Sequence, residues 1–451
     1  MKSLSLTVII LLSSAFIYAN KNHISINTNS DTNNSKILNI SLSEAVELSL
    51  NNSIDSKRAN LALSKTQLQL YTVWSKILVT PTNLSLSGSV SVNDTDNKTG
   101  FNYNLGVSHS FTMKTAFEVY KTVLDWKKGL ISYHKARDLI KVNTVKTYFK
   151  SLLGQKRIEQ KNRAMENSKK VFATTADKYN KGLSSEIEKL KAELDYLNKI
   201  PEIERIKTIY ENDIATLKLL LGIDNNKNLM LTGELPVFEV ETVDFKPEML
   251  NDNLNLKMST LDYQAAINEI NSSYSDLTPS LRLQYGLSGG LKNDLFQSDL
   301  SDNNAWKKPV NSISISVSIP IGGYLPFSSE QNNILNKTFA VEDLRLSREL
   351  LFNKTILDVT NLINSVKNNN KTIKSLNLNL KIANKTFDLL EKEYNDGNIP
   401  YDELIKTMND RDEIEYNILN YSAETLFYLI DIDLILNTDF RIFKGVMNNE
   451  K

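Results

Sequence analysis

Residues 79–90 read VTPTNLSLSGSV, and residues 277–289 read LTPSLRLQYGLSG. Each stretch follows a segment whose apolar residues recur at helical spacing, and beyond each Thr-Pro the period drops to two. A residue that precedes proline is pushed out of the helical region, so Pro81 and Pro279 mark a change from helix to strand. After Pro81, Leu84, Leu86, Val90 and Val92 alternate with serines. The polar turn NDTDNKTG comes next, and Phe101, Tyr103, Leu105 and Val107 then alternate with Asn, Gly and Ser. After Pro279, Leu281, Leu283, Tyr285 and Leu287 make one such strand, and Ile313, Ile315, Val317 and Ile319 make another, with Ser312, Ser314, Ser316 and Ser318 between them. Each half of the chain thus supplies one hairpin, 83–112 and 280–321.

The flanking segments repeat as well. Ser41, followed three residues later by Glu44, caps a helical pattern that opens SLSEAVELSLNN and runs to about Leu78. The pattern from Asp244, DFKPEMLNDNLNLKMSTLDYQAAINEI, does the same before the second hairpin. Behind each hairpin stands a long helix. From Lys114 to Lys178 the residues Val142, Val145, Phe149 and Leu152 have the 3,4 spacing of a coiled-coil seam. From Ser328 to Tyr394 the residues Ile356, Val359, Ile363, Val366, Ile373, Leu376, Leu380, Ala383, Phe387 and Leu390 carry that spacing, interrupted at Asn370. At 1.5 Å per residue such a helix is roughly 100 Å long. Both rods end in related turns, KYNKGLSSEIEKL and EYNDGNIPYDELI, with a tyrosine three residues before the glycine and a return helix of equal length beyond it.

The order helix, hairpin, long helix, glycine turn, return helix therefore occurs twice, in 41–222 and in 247–437, joined by a linker at 223–246 and followed by a tail at 438–451. Residues 1–19, MKSLSLTVIILLSSAFIYA, have the short apolar run and small terminal residue of an export signal, and 20–40 read as a disordered Asn/Ser-rich leader.

Composition excludes several functions. Lys plus Arg and Asp plus Glu number 53 each, so no basic field draws nucleic acid, and the absence of cysteine removes disulfides, thiolate metal sites and a lipid-bearing cysteine. His23, His109 and His134 are scattered without carboxylates at metal-ligand spacing, and the glycine pairs at Gly289 and Gly322 lack the Lys-Ser/Thr of a phosphate loop. No catalytic residue, metal or cofactor is expected. The four strands have the length of bilayer-crossing strands and alternate aliphatic with small polar residues, as suits lipid on one side and a watery lumen on the other. Aromatics at Phe111, Phe296, Trp306, Tyr324 and Phe327 fall near strand ends, where an interfacial girdle sits. Four strands cannot close a barrel, and lipid does not tolerate open edges, so copies of the chain must associate. Three copies give twelve strands and two give eight; strand count alone does not choose between them.

The LSEAVELSLNN opening, the paired Thr-Pro hairpins, SISISVSIPIGG before the second long helix and the two Tyr-x-x-Gly turns together resemble the TolC family of outer membrane efflux proteins. The resemblance extends from about Ser41 to Asn437 and lies in the twofold ordered set rather than in one motif. It implies an α+β membrane protein: a homotrimer with a twelve-stranded transmembrane β-barrel, four strands per chain, and a long periplasmic α-helical barrel. It also implies an exit duct in the outer membrane, coupled to a periplasmic adaptor and an inner membrane pump, for drug efflux or for secretion. A periplasmic coiled-coil spacer or adhesin-like stalk, and a passive porin, are the rival readings.

By resemblance the adaptor docks at the tips, here Gly182, Leu183 and Ser184 in the first half and Gly397, Asn398, Ile399 and Pro400 in the second. The glycines also simply permit the turns, and Pro400 suits the start of a helix. The family constriction falls on Glu403 and Lys406, where lysine replaces the acid expected at the second position. Glu403 also reads as a first-turn acid at the positive end of a helix. The family's latch falls on Tyr394 and Glu188, with Ile399 in place of the expected basic residue. Glu188 has a second reading as the capping-box partner of Ser185.

Overall fold

A computed structural model describes residues 38–78, 82–93, 98–235, 244–291, 305–396 and 398–438. The expected signal, most of the leader, Phe296, Gly397 and nearly all of the tail lie outside the described residues. In chain order the elements are β1 (Leu38–Ile40), α1 (Leu42–Asn52), α2 (Ile54–Leu78), β2 (Thr82–Asn93), β3 (Lys98–Phe111), α3 (Lys114–Asn180), α4 (Glu186–Leu221) and β4 (Leu229–Leu231). A short 3-10 turn at Pro247–Asp252 leads to α5 (Leu254–Ser275), β5 (Ser280–Gly290), β6 (Val310–Ser318), α6 (Ser329–Asn395) and α7 (Tyr401–Leu436).

The twofold repeat is metrically tight. Helices α3 and α6 have 67 residues each, and α4 and α7 have 36 each. Local chemistry sets the ends. Ser41 and Glu44 close the capping box of α1, Ser185 and Glu188 close that of α4, and Ser328 caps α6. Helices α4 and α7 stop at residues in the left-handed region, Gly222 (φ 68°) and Asn437 (φ 53°), the conformation that terminates helices by turning the chain back on its last carbonyls. A Cβ on Gly222 would meet the carbonyl of Asn52 at 2.6 Å, so the end of α4 abuts the end of α1.

Two expectations need correction. The helix expected from Ser41 to Leu78 is broken at Ser53, whose extended backbone (ψ 149°) ends α1 before α2 begins. The apolar spacing runs across the break, so periodicity does not reveal it. Residues 38–40, assigned to a disordered leader, and 229–231, assigned to a linker, are instead strands paired in parallel, Leu38 opposite Leu229 and Ile40 opposite Leu231. Tyr148 of α3, fully buried, donates to the Ile40 carbonyl at 3.0 Å and also contacts the Thr232 carbonyl. The small sheet thus caps a core of Val142, Val145, Phe149, Leu217, Leu221 and Ile430, where α1, α3, α4 and α7 converge. A second core of Leu250, Val359, Val366, Leu429, Ile432 and Leu436 occupies the corresponding place in the other half.

The four long strands form one antiparallel sheet in the order β2-β3-β5-β6. Its register sorts the side chains by face. One row crosses all four strands as Leu84, Val107, Tyr285 and Ile313; the row beside it reads Ser85, Gly106, Gly286 and Ser312. Helices continue this order, because α2 enters β2, β3 leads into α3, α5 enters β5 and β6 leads toward α6. Below the sheet the neighbours are α2, α3, α5 and α6 in sequence; farther down, α4 packs on α3, α3 on α7 and α7 on α6. The elements thus lie side by side in one layer, with β2, α2 and α4 along one edge and β6 and α6 along the other. Along α6 the seam residues Val359, Val366 and Ile373 are buried, and the spacing steps by three twice from Asn370 through Ile373 to Leu376, a local register shift in the coiled coil.

Candidate functional site: hairpin tips, ionic belt and open edges

Both helical tips are built alike. Past Tyr179 the chain turns through Gly182 (φ 73°), the Gly182 amide donates to the Tyr179 carbonyl at 2.9 Å and the Leu183 amide to the Lys178 carbonyl at 2.8 Å. In the second tip the Asn398 amide donates to the Glu393 carbonyl at 2.8 Å, the same five-residue span. A positive φ at Gly182 is a place where any other side chain is strained. Leu183 is 75% exposed, an apolar side chain held out at the turn. Asn398 Nδ2 donates to Glu393 Oε2 at 2.7 Å, which rigidifies the second tip from within.

Glu188 is engaged locally. Its Oε2 accepts from Ser184 Oγ at 2.6 Å and from the Ser185 amide at 2.9 Å, while its own amide donates to Ser185 Oγ at 3.3 Å. The Ser184 hydrogen bond, followed by those of Ser185, holds its carboxyl below the usual carboxylate range. Tyr394 packs on Tyr401 with ring centroids 5.2 Å apart, so within one chain Tyr394 and Glu188 are not brought together. Its counterpart Tyr179 lies under the Lys189 ammonium, 5.1 Å from the ring centroid. Glu403 and Lys406 stand exposed on the first turns of α7, while Leu404 and Ile405 between them are buried. Ser184, Ile399 and Pro400 complete the exposed or half-exposed tips.

An ionic belt that the sequence does not announce joins the first helical pair to the second. Arg157 of α3 donates to Glu413 of α7 at 2.8 Å and stacks over Tyr416 at 4.2 Å. Gln160 Nε2 reaches the same Glu413 oxygen at 3.2 Å, and Lys161 lies 3.0 Å from Glu202 of α4 and 3.7 Å from Glu413. Asp412, nearly buried, accepts from Arg163 at 3.3 Å and from Arg411 at 3.2 Å. Partial burial pushes the Glu413 carboxyl up, but the Arg157 hydrogen bond and charge, with Lys161 and Gln160, outweigh it and hold the group below its ordinary value. On paper these residues look like any solvated helix face; only the helix crossing turns them inward.

The two edges of the layer are apolar where no described residue covers them. On α2, Ile54, Leu61 and Leu68 repeat at heptad spacing, with Leu61 72% exposed. On α4, Ile187, Leu190, Leu194 and Leu197 continue the stripe toward the tip. The opposite edge, α6, carries Phe339, Leu346, Leu350 and Leu357 above and Leu378, Ile382 and Leu389 below, with Leu350 70% exposed. Stacked end to end, α2 with 25 residues and α4 with 36 nearly match the 67 residues of α6.

At the sheet, Trp306 meets Phe101 and Tyr103 edge-on at 6.2 and 6.1 Å, and Phe111 lies 4.4 Å from His109 at the other end. Tyr324 donates to the Leu277 carbonyl at 2.6 Å beside that end, and Phe327, three residues on, is exposed. Aromatics therefore flank the apolar face at both strand ends. No helix among the described residues is long and apolar enough to cross a membrane, and no group of three or more acidic or histidine side chains among them is placed to hold a metal ion.

No protein-family model matches the sequence, nor does any curated protein sequence, and the likeness to known proteins is one of structure. The CmeC outer membrane channel of Campylobacter jejuni superposes with a TM-score of 0.74 at 16% identity, covering 91% of this chain and 89% of that one. A membrane protein of Pseudomonas aeruginosa gives 0.73 at 13% identity, covering 88% and 93%. The open state of the MtrE outer membrane channel of Neisseria gonorrhoeae gives 0.68 at 16%, covering 88% of each chain. The chain has the fold of TolC-like outer membrane channels along nearly its whole described length.

Proposed function

We propose that three copies of the chain close into a ring in the bacterial outer membrane, a twelve-stranded barrel continued by a periplasmic helical tube. The ring would act as the exit duct of a tripartite efflux or type I secretion system. The observation that carries this reading is the pair of bare edges. Strands β2 and β6 are the outer strands of the sheet, with no further strand beside them among the described residues, and α2, α4 and α6 leave apolar heptad stripes uncovered. A sheet edge in lipid must find a partner, and a stripe of that length needs a helix of matching length. The next copy offers both at once: β6 against β2, and α6 against α2 and α4. The fold shared with CmeC and MtrE, which are outer membrane channels, supports the same reading.

The equal tips would be the surface met by a periplasmic adaptor, with Gly182, Leu183 and Ser184 on one hairpin and Gly397, Asn398, Ile399 and Pro400 on the other. Glu403 and Lys406, exposed on α7, would face the axis as a constriction. Tyr394 and Glu188 would act across neighbouring helical pairs rather than within one chain. Substrates would be delivered by an inner membrane pump, and the duct itself would perform no reaction. The mass of the detergent-extracted mature protein, corrected for bound detergent, tests the assembly. Three chains are expected; a monomer soluble without detergent would leave the helical spacer as the better account.

A further inference from the structure

We propose that Arg282 gives the barrel lumen a preference for anionic solutes. The inference rests on the closed-ring reading, in which the polar face of the sheet lines the lumen. Strands β2, β3, β5 and β6 contain no Asp or Glu at all. Apart from Lys98 and Val310 at the hairpin ends of β3 and β6, the polar rows are built from Ser, Asn, Gln and Gly, and Arg282 interrupts them at the helical end, in a row with Ser110 and Ser316. The guanidinium is exposed, and Nε donates to Ser110 Oγ at 3.3 Å. No carboxylate among the described residues lies within ion-pair distance of it. The acid beyond this strand end, Asp276, is neutralised at 2.8 Å by Lys114. At the far end of the same face Lys307 and Lys308 stand beside Asn104 and Ser288 and add further positive charge.

Position decides what Arg282 does. Two residues into β5, it belongs to the barrel end that meets the helices, and threefold closure sets three guanidiniums around one level of the lumen. An arginine that served only to anchor the chain at the membrane interface would stand on the apolar face, with Leu281 and Leu283; Arg282 lies on the other one. Guanidinium stays charged at every accessible pH and binds carboxylate, sulfate and phosphate groups through paired N–H donors. Strands without Asp or Glu supply no competing negative charge. Three unit charges about 10 Å from the axis raise the local concentration of a monovalent anion roughly fourfold when the Debye length is about 30 Å, falling to about twofold at physiological salt.

Reversal potentials across a planar bilayer, with about 10 mM KCl on one side and about 100 mM on the other, read this directly. Wild type should be more anion-permeable than Arg282→Gln, Arg282→Lys should keep the wild-type value, and Arg282→Glu should shift furthest toward cations. Inositol hexakisphosphate added on the barrel side should block wild type at concentrations at least about tenfold below those needed for Arg282→Gln. A reversal potential and a block that Arg282→Gln leaves unmoved overturn the proposal while leaving the duct intact. If Arg282→Gln does not insert, wild type decides: block from the barrel side at lower concentration than from the helical side supports the arginine belt, and equal block from both sides overturns it. A trimer that forms no conducting path overturns the duct reading and this proposal with it.

Discussion

Glu403 stands exposed three residues from Lys406 on the same side of α7, and no ion pair joins the two. In a closed ring its carboxylates would confront one another across the axis and set the charge at that level. Glu403→Ala should therefore change single-channel conductance; a pore with unaltered conductance removes this residue from the proposed constriction. Glu188 illustrates the opposite case. Its carboxylate is taken up by Ser184 and Ser185, so the capping role legible in the sequence is realised. The proposed latching role would have to operate alongside that cap.

Among the elements, the ionic belt between α3 and α7 is the contact that fastens the two helical pairs below the core. The Glu413 carboxyl is held below the ordinary glutamate value in the folded state. A group depressed on folding contributes stability above its unfolded pKa and loses it as pH falls through the folded value. With its side chain 41% exposed, the contribution is screened and amounts to about 0.5–1 kcal/mol. Glu413→Gln should lower the unfolding temperature at pH 7, and the difference from wild type should vanish once the pH drops well below the ordinary carboxylate range. A difference that persists there would assign the effect to packing rather than charge. The belt also marks what a sequence hides. Rods, hairpins and tips announce themselves because a period of 3.5 or 2 extends over many residues, and a glycine three residues past a tyrosine recurs. The strands LNI and LML are too short to have a period, and they pair across nearly two hundred positions. Arg157, Lys161, Asp412 and Glu413 have the spacing of an ordinary solvated surface, and become a contact only through the crossing of two helices distant in sequence.

On the scale of the whole molecule, the proposed ring would cover what a single chain leaves open. The chain's cores lie where the helices cross, while both flanks carry leucines that a solitary soluble protein would bury. Leu190 and Leu194 are 54% and 60% exposed on α4. Leu190→Glu combined with Leu194→Glu should leave far-UV circular dichroism unchanged, since neither side chain supports its own chain's core, yet convert trimers to smaller species in light scattering. An unchanged mass would mean that this stripe meets something other than a second copy.

The paired lengths of the arms constrain how such a gene can change. Both long helices have 67 residues and both return helices 36, so the two hairpins have arms of equal length. An insertion in one descending helix must be answered in its returning partner, or the seam slips. It must also be answered in the other hairpin, or one tip overhangs. Only whole heptads keep the same side chains facing inward. Viable descendants of this sequence should therefore differ in arm length by sets of four matched insertions or deletions in steps of seven. Point substitutions on the outer surface can accumulate one at a time.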